Sequence, residues 1–212
     1  MARVSFITLL RYDVPVPRPK THDDALRGRL LERAGELLST EGPDALSLRR
    51  LAADVNTSTT AVYSLFGGKP ALLNSVYEEA FRRFGERLAA VPKTDDPVED
   101  IVQTGLAYRQ SALADPQFYL VMFSKVVPNF EPSDETSEAA AETFLPLVRD
   151  VDRAVEKGMF VQAPREQIAL AMWGMVHGLV SLELNGNLPP GLEIAPVYER
   201  ALRAHADGWR AR

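Results

Sequence analysis

The chain has 212 residues, of which 46% are hydrophobic and 25% are charged, so it can form one or two small helical domains with a buried core. It contains no cysteine, which excludes a disulfide framework and a metal site built from thiolates. Its three histidines, His22, His177 and His205, are widely spaced, and we predict neither a metal site nor a cofactor.

The formal net charge of −5 is distributed unevenly along the chain. Residues 18–93 contain 12 Lys and Arg residues against 10 Asp and Glu residues, whereas residues 94–212 contain 10 against 18. Basic side chains are thus concentrated in the first part, where we expect a nucleic-acid partner to bind. Because so small an excess gives weak binding, we expect a dimer that doubles the phosphate contacts.

Residues 1–20 are expected to lie outside the folded domains. The apolar run at residues 6–10 is too short for a signal peptide or a membrane span, and three prolines between residues 15 and 19 disfavour a helix. The first interpretation is a disordered leader or an over-long assignment of the start codon. The second is an arm in which Arg18 and Lys20 reach DNA.

The first predicted helix runs from about Asp24 to Thr40, and residues 41–46 form a loop in which Gly42 and Pro43 stop it. Its apolar residues recur at helical spacing and predict one buried face. They are Leu30, Leu31, Ala34, Leu37 and Leu38.

Residues Ser47 to Lys69 have the pattern of two short helices joined by a tight turn. Ser47 is a candidate N-cap for the first of them, and Thr57 or Ser58 for the second, because a hydroxyl can accept from the free N–H groups of a first turn. Asn56 tolerates the left-handed conformation that ends helices. The apolar stripe of the first helix consists of Leu48, Leu51, Ala52 and Val55.

The second of these helices has two faces of different character. One is apolar and consists of Ala61, Val62, Leu65 and Phe66; the other carries Thr59, Thr60, Tyr63 and Ser64. The second face is small, polar and free of acids, which suits a helix in the major groove, where hydroxyls contact base edges and phosphates. The alternative is an ordinary solvated helix face.

We therefore predict a helix-turn-helix whose first helix crosses the DNA backbone and whose second enters the groove. Tyr63 and Lys69 are expected to touch phosphates. Arg49 and Arg50 flank the turn, and either one of them contacts a phosphate or both only raise solubility. The predicted DNA-binding residues are Ser47, Arg49, Arg50, Thr57, Ser58, Thr59, Thr60, Tyr63, Ser64 and Lys69.

The run from Leu48 to Ala53 and the later spacing of Tyr63, Phe66, Lys69, Leu72 and Leu73 carry a resemblance to a known family. Residues 24–88 resemble the tetracycline-repressor (TetR) family of bacterial regulators. The resemblance implies an all-α fold, in which a three-helix DNA-binding head is joined by a linking helix to a helical ligand-binding and dimerisation bundle. It also implies a cytoplasmic, homodimeric transcription regulator, most often a repressor, that binds a pseudo-palindromic operator in double-stranded DNA.

A long amphipathic helix is predicted from Lys69 to about Ala90, and residues 91–97 form the clearest linker. The predicted domains are thus a leader at 1–20, a DNA-binding domain at 21–90 and an effector-binding and dimerisation domain at 91–212.

Every segment beyond the linker is predicted to be helical. The apolar segment near residue 175 is expected to be a buried helix of a soluble protein, since it carries His177 and Glu183 and is short for a membrane span. The last two helices are expected to form the dimer interface. The predicted helices are 97–114, 116–127, 135–157, 164–184 and 195–211.

The stretch from Trp173 to Gly178 resembles the C-terminal domain type of this superfamily that is named for its Trp, His and Gly, and implies an effector-sensing domain. Trp173 and His177 share a helix face, either as core or as a pocket wall with a polar group. Gly174 and Gly178 would let another helix or a ligand come close. The bulky residues of 116–127 are either core or pocket lining. The predicted ligand pocket consists of Tyr108, Phe118, Tyr119, Met122, Phe123, Phe144, Trp173 and His177.

No catalytic motif stands out, because a phosphate-binding loop after a strand, a nucleophile elbow and a metalloprotease helix are all lacking from the sequence. We therefore predict that the protein is not an enzyme, with no catalytic residues. The favoured hypothesis is a regulator released from DNA by a small, largely apolar effector. The rivals are an all-helical enzyme that uses His177 and a module whose helix-turn-helix binds protein.

Overall fold

The structure, a computed structural model, describes residues 20–123, 127–128 and 130–211. The predicted leader up to residue 19, and with it Arg18 of the proposed arm, lies outside the described residues. Lys20 is the first residue of the first helix, which therefore begins earlier than the predicted start at Asp24.

The described ranges are all-α, as predicted, and the one strand-like pairing within them is an isolated antiparallel bridge between Phe160 and Arg210. A short 3-10 helix at Pro43–Ala45 lies in the loop after the first α-helix. The α-helices are α1 (Lys20–Thr40), α2 (Leu48–Asp54), α3 (Thr59–Phe66), α4 (Lys69–Ala89), α5 (Pro97–Ala114), α6 (Pro116–Phe123), α7 (Asp134–Glu142), α8 (Leu145–Glu156), α9 (Arg165–Leu184) and α10 (Ile194–Gly208).

Helices α1, α2 and α3 pack with the start of α4 into a small head. The five apolar residues predicted for the first helix are all buried, which confirms its inner face. Leu51, Val62 and Leu72 bring α2, α3 and α4 to the same core and are fully buried. The apolar cluster does not stop there, because it continues along α4 and α6 into the bundle formed by α5, α8, α9 and α10.

The predicted single helix over residues 135–157 is wrong, because the structure has two helices there. Helix α7 ends at Glu142 and α8 begins at Leu145. Pro146 lies at the start of α8, where a missing N–H does no harm. In a continuous helix its ring would clash with the carbonyl of Glu142, four residues earlier, so the chain turns at Thr143 and Phe144 instead.

Other predicted boundaries differ less. Helix α5 has the predicted bounds, and α4 ends at Ala89. Helix α6 ends at Phe123, before the predicted end at Val127, which lies in a bend; residues 124–126 are not described. The last helix ends at Gly208, since Trp209 and Arg210 turn back toward Phe160.

Helix α9 is long and apolar enough to cross a membrane by length and composition alone. In the structure it packs against α5, α8 and α10. Ile168, Met172 and Val180 face these neighbours and are buried, whereas Leu170 and Leu182 on the other side are exposed. The prediction of a buried helix is therefore right for one side of α9 and wrong for the other, which is open.

The segment between α4 and α5 is fastened to the bundle by charged groups. The buried carboxylate of Asp100 accepts from the Thr94 N–H at 2.9 Å and from Arg153 at 2.8 Å. Lys93 donates to the buried Asp150 at 2.6 Å. Burial alone would raise the pKa of Asp100, but the hydrogen bonds from Arg153 and Thr94 outweigh it and lower the pKa. The predicted linker is thus an anchored connection between head and bundle.

The anchoring of this connection predicts that Asp100→Asn destabilises the protein by about 2 kcal/mol at pH 7, because charge-assisted hydrogen bonds are lost in a buried site. The contribution of a carboxylate with a lowered pKa is present above its unfolded pKa and disappears as the pH falls through the folded value. In denaturant unfolding, the free energies of unfolding of the two proteins should therefore approach each other below about pH 4. Asp207→Asn, which breaks an exposed ion pair with Arg210, is the control and should change little.

Candidate nucleic-acid interface and apolar cavity

Side-chain caps and one left-handed residue shape the turn between α2 and α3. The Ser47 hydroxyl accepts from the Arg50 N–H at 3.1 Å, and the Ser58 hydroxyl accepts from the Ala61 N–H at 3.1 Å. Asn56 has a φ of 57°, so it adopts the left-handed conformation expected of it. These residues determine where each helix begins and ends, and therefore the orientation of α3 on the head.

The polar face of α3 points outward from the head. Thr60, Tyr63 and Ser64 are exposed, with Tyr63 at 53%, and Thr59 is half-buried. Val62 and Phe66 on the opposite side are buried in the head core. The described residues include no helix that covers this face, and Thr57 lies half-buried at its start. The sequence-predicted residues of α3 therefore form one accessible, acid-free surface.

The basic residues around the turn have different surroundings. Arg50 makes two hydrogen bonds to Glu41, at 2.7 and 2.8 Å, and these lower the pKa of that carboxyl. Arg49 is exposed and forms no ion pair with any residue that the structure describes. The Lys69 ammonium donates to the Pro43 carbonyl at 2.9 Å, which leaves two of its protons for other acceptors. Of the two arginines, Arg49 is the one whose charge is available.

A cavity of about 330 Å³ lies inside the bundle, between α4, α5, α7, α8 and α9. Its walls are almost entirely apolar, and aromatic rings form much of them. The lining residues are Phe81, Phe84, Leu88, Ile101, Thr104, Gly105, Tyr108, Phe123, Ala140, Ala141, Thr143, Phe144, Pro146, Leu147, Met172, Trp173, Val176 and Leu202. The volume falls in the range of small-molecule sites, roughly 300–1,000 Å³.

Half of the predicted pocket residues line this cavity, namely Tyr108, Phe123, Phe144 and Trp173. The structure does not bring Phe118, Tyr119, Met122 and His177 to its wall. Phe118 and Met122 lie one turn apart on one side of α6. Phe123 is five residues after Phe118 and so lies on a different side: Phe123 lines the cavity, whereas Phe118 points toward the head.

Phe118 packs between head and bundle. Its ring lies against Gly35 of α1, where an added Cβ would come within 3.2 Å, and under the Arg83 guanidinium at 4.7 Å. Arg83 also pairs with Glu32 of α1 and Glu79 of α4. These contacts explain why Phe118 is buried although it does not line the cavity.

Tyr119 and His177 form a small polar cluster behind the cavity wall. The His177 Nδ1 lies 2.8 Å from the Tyr119 hydroxyl and 3.0 Å from the Tyr108 hydroxyl. Burial lowers the pKa of His177 and raises the pKa of both tyrosines. All three groups are therefore neutral at pH 7, and Tyr108 connects the cluster to the lining.

Sequence reasoning missed the contribution of α4 to the cavity. Phe81, Phe84 and Leu88 lie in the amphipathic helix predicted from Lys69 to about Ala90, and their i, i+3, i+7 spacing was the available signal. Thr104 and Leu202 gave no signal, because their approach depends on how α5 and α10 pack. No group of three or more His, Cys, Asp or Glu side chains is placed to hold a metal within the described ranges.

Comparison with known families accounts for both parts of the molecule. The profile described as "Bacterial regulatory proteins, tetR family" matches residues 30–76, and the profile described as "Tetracyclin repressor-like, C-terminal domain" matches residues 101–205. The chain belongs to the TetR family. It is therefore a DNA-binding transcription regulator with a helix-turn-helix head, and the C-terminal match covers the region for which a Trp-His-Gly type was predicted. No curated protein matches the chain.

Solved structures share the fold over nearly the whole chain. A protein of unknown function from a Rhodococcus species has 28% identity and a TM-score of 0.75, covering 88% of this chain and 96% of its own. A TetR family transcription regulator from Marinobacter aquaeolei has 18% identity and a TM-score of 0.76, covering 92% and 100%. The regulator PfmR from Thermus thermophilus has 22% identity and a TM-score of 0.67, covering 84% and 95%.

The polar cluster of this TetR-family protein predicts an unusual titration for His177. Because burial disfavours the imidazolium, the NMR midpoint of His177 should lie below the value of about 6.5 for an exposed histidine. As the pH falls, His177 of the unfolded chain is protonated before His177 of the folded protein. The free energy of unfolding should therefore fall as the pH drops below about 6.5. His177→Gln assigns the resonance, and a midpoint at or above the exposed value would contradict the burial argument.

Proposed function

We propose that this TetR-family protein is a cytoplasmic repressor and not an enzyme. It binds a pseudo-palindromic operator as a homodimer and is released by a small, largely apolar effector. The observation that carries the proposal is the accessible, acid-free face of α3, presented by two capped helices. The apolar cavity, which α4 connects to α3, supports the effector part of the proposal.

In the proposed complex, α3 enters the major groove, with Thr59, Thr60 and Ser64 toward base edges. Tyr63 and Lys69 contact phosphates, and Ser47, Thr57 and Ser58 assist at the helix N-termini. Arg49 supplies a phosphate contact, because its charge is available, whereas Arg50 is held by Glu41 and serves mainly to hold the turn. The assigned domains are a head at 21–90 and an effector-binding domain at 91–212.

The open sides of α9 and α10 support dimerisation through the last two helices. On α9 the exposed side carries Leu170, Gly174 and Leu182; on α10 it carries Val197 and Ala204. A Cβ added at Gly174 would meet nothing within 4 Å, so a second subunit's helix has room to approach. Two such pairs would form a four-helix bundle and set the heads about 34–36 Å apart, one turn of DNA.

Helix α4 supports the proposed coupling between effector and DNA. It begins at Lys69 beside α3 and lines the cavity with Phe81, Phe84 and Leu88. A ligand that shifts α4 would change the spacing of the two heads. If the ligand-bound dimer prefers the wrong head spacing by roughly 1–3 kcal/mol, operator binding weakens several-fold.

Footprinting of the dimer on the region upstream of its own gene tests DNA binding. We expect a symmetric protected site and a steep loss of affinity with salt. Arg49→Ala should reduce the slope of log affinity against log salt by about 1 per subunit, since one phosphate contact is lost. Arg50→Ala is the matched control and should reduce the slope less. Absence of protection at low salt would contradict the proposal, and equal effects of the two variants would remove the role assigned to Arg49.

Gly174→Glu should separate the subunits, because two carboxylates would be forced into an apolar interface. Sedimentation velocity is expected to show a monomer, and circular dichroism an unchanged helical content. Operator affinity should fall together with the dimer. Ala139→Glu on the exposed side of α7 is the control. A Gly174→Glu protein that stays dimeric would exclude this face as the interface.

A further inference from the structure

We propose that the cavity selects an uncharged ligand that carries two apolar rings or an equally bulky apolar group and one hydrogen-bond acceptor, which receives the hydroxyl proton of Thr104. This inference rests on the proposed function in that it names the chemical class of the effector. It assigns to Thr104 the role of the residue that determines specificity.

The absence of charge follows from the composition of the wall. Among the described lining residues none is ionisable at neutral pH, since the Tyr108 phenol is buried and its pKa is raised. A carboxylate or an ammonium group entering such a cavity loses its water, and no lining residue supplies a counter-charge; the nearby Lys93 ammonium is already paired with Asp150. Uncharged ligands avoid this cost.

The aromatic rings around the cavity are arranged against one another and do not form an open cage for a cation. The Phe84 and Tyr108 rings are perpendicular with centroids 5.0 Å apart. The Trp173 ring packs at a tilt against Phe123 at 6.2 Å and Phe144 at 5.8 Å. These perpendicular and tilted pairs use ring faces within the protein, which favours rings in the ligand over a bare cation.

Thr104 is the polar residue of the wall with an unused donor. It is buried, and its Oγ1 accepts from the Lys93 ammonium at 3.2 Å. Lys93 is itself held by Asp150 at 2.6 Å. A hydroxyl has one proton, and the ammonium turns that proton away from itself. Within the described residues the Thr104 hydroxyl donates no hydrogen bond, so a ligand in the cavity can supply the acceptor.

The other hydroxyls of the lining are already engaged. Thr143 donates to the Ala140 carbonyl at 2.7 Å. The Tyr108 hydroxyl lies within 3.2 Å of the Tyr119 hydroxyl and 3.0 Å of His177. A ketone, ester or ether oxygen is therefore matched to Thr104, and the positive charge of Lys93 strengthens that donor.

Four probes with one two-ring skeleton test the proposal: diphenylmethane, benzophenone, diphenylacetate and benzhydrylammonium. Between the two rings, diphenylmethane has a methylene and benzophenone a carbonyl, whereas diphenylacetate carries an anionic group there and benzhydrylammonium a cationic one. Isothermal titration of the full chain should give benzophenone an affinity about fivefold above that of diphenylmethane, the worth of one hydrogen bond. Both ions should bind at least about a hundredfold more weakly than benzophenone.

Two variants assign the effect to one hydroxyl. Thr104→Val should remove the preference for benzophenone and leave diphenylmethane unchanged, because the donor to the ligand is lost. The Lys93 ammonium loses one acceptor in this variant but keeps its hydrogen bond to Asp150. Thr104→Ser should keep the preference. Thr143→Val is the matched control on the same wall and should also keep it, since its proton is used within the protein. Circular dichroism confirms that each variant is folded.

The outcomes separate this inference from the proposed function. Tight binding of either ion, no binding of any probe, or a benzophenone preference that survives Thr104→Val would overturn the assignment. Binding in the expected order supports it. If the probes bind in that order but never release DNA in a gel-shift titration, the ligand class stands and the proposed control of DNA binding fails.

Discussion

One side of α4 is buried along the whole helix, and the rest of the structure depends on this constraint. Its first turns complete the head, with Leu72 and Val76 fully buried, and its last turns form a cavity wall. A helix of 21 residues is stiff along its length, so the two ends cannot move independently. Helix α4 is therefore the route by which, in the proposed function, a ligand in the cavity would act on α3, which α4 follows after two glycines.

A second connection between head and bundle runs through α6. Phe118 fills the space that Gly35 leaves on α1, and Arg83 lies over its ring while pairing with Glu32. Phe123, less than two turns later on the same helix, lines the cavity. Helices α4 and α6 thus both connect the head to residues that line the cavity. At the C-terminal end of α4, the segment with Thr94 is attached to the bundle through Asp100.

Charged side chains and apolar side chains lie in different parts of the molecule. Charged pairs such as Arg50 with Glu41 lie on the outside, where they hold the turn without covering α3. The polar groups behind the cavity wall, His177 and two tyrosines, are neutral. The buried carboxylates of Asp100 and Asp150 lie at the edge of the bundle interior and are paired.

The sequence by itself determined the helical class, the turn between α2 and α3 and the outward face of α3. These features depend on neighbours a few residues apart: a capping hydroxyl, a left-handed Asn56 and apolar residues at helical spacing. Pro146 was a local signal too, and the break it causes between α7 and α8 was overlooked. Only the tertiary structure decided three features of the cavity: which side of α6 meets it, that α4 lines it, and that Thr104 offers it a donor. Each depends on which surfaces meet across the fold, and the spacing within one helix carries no information about that.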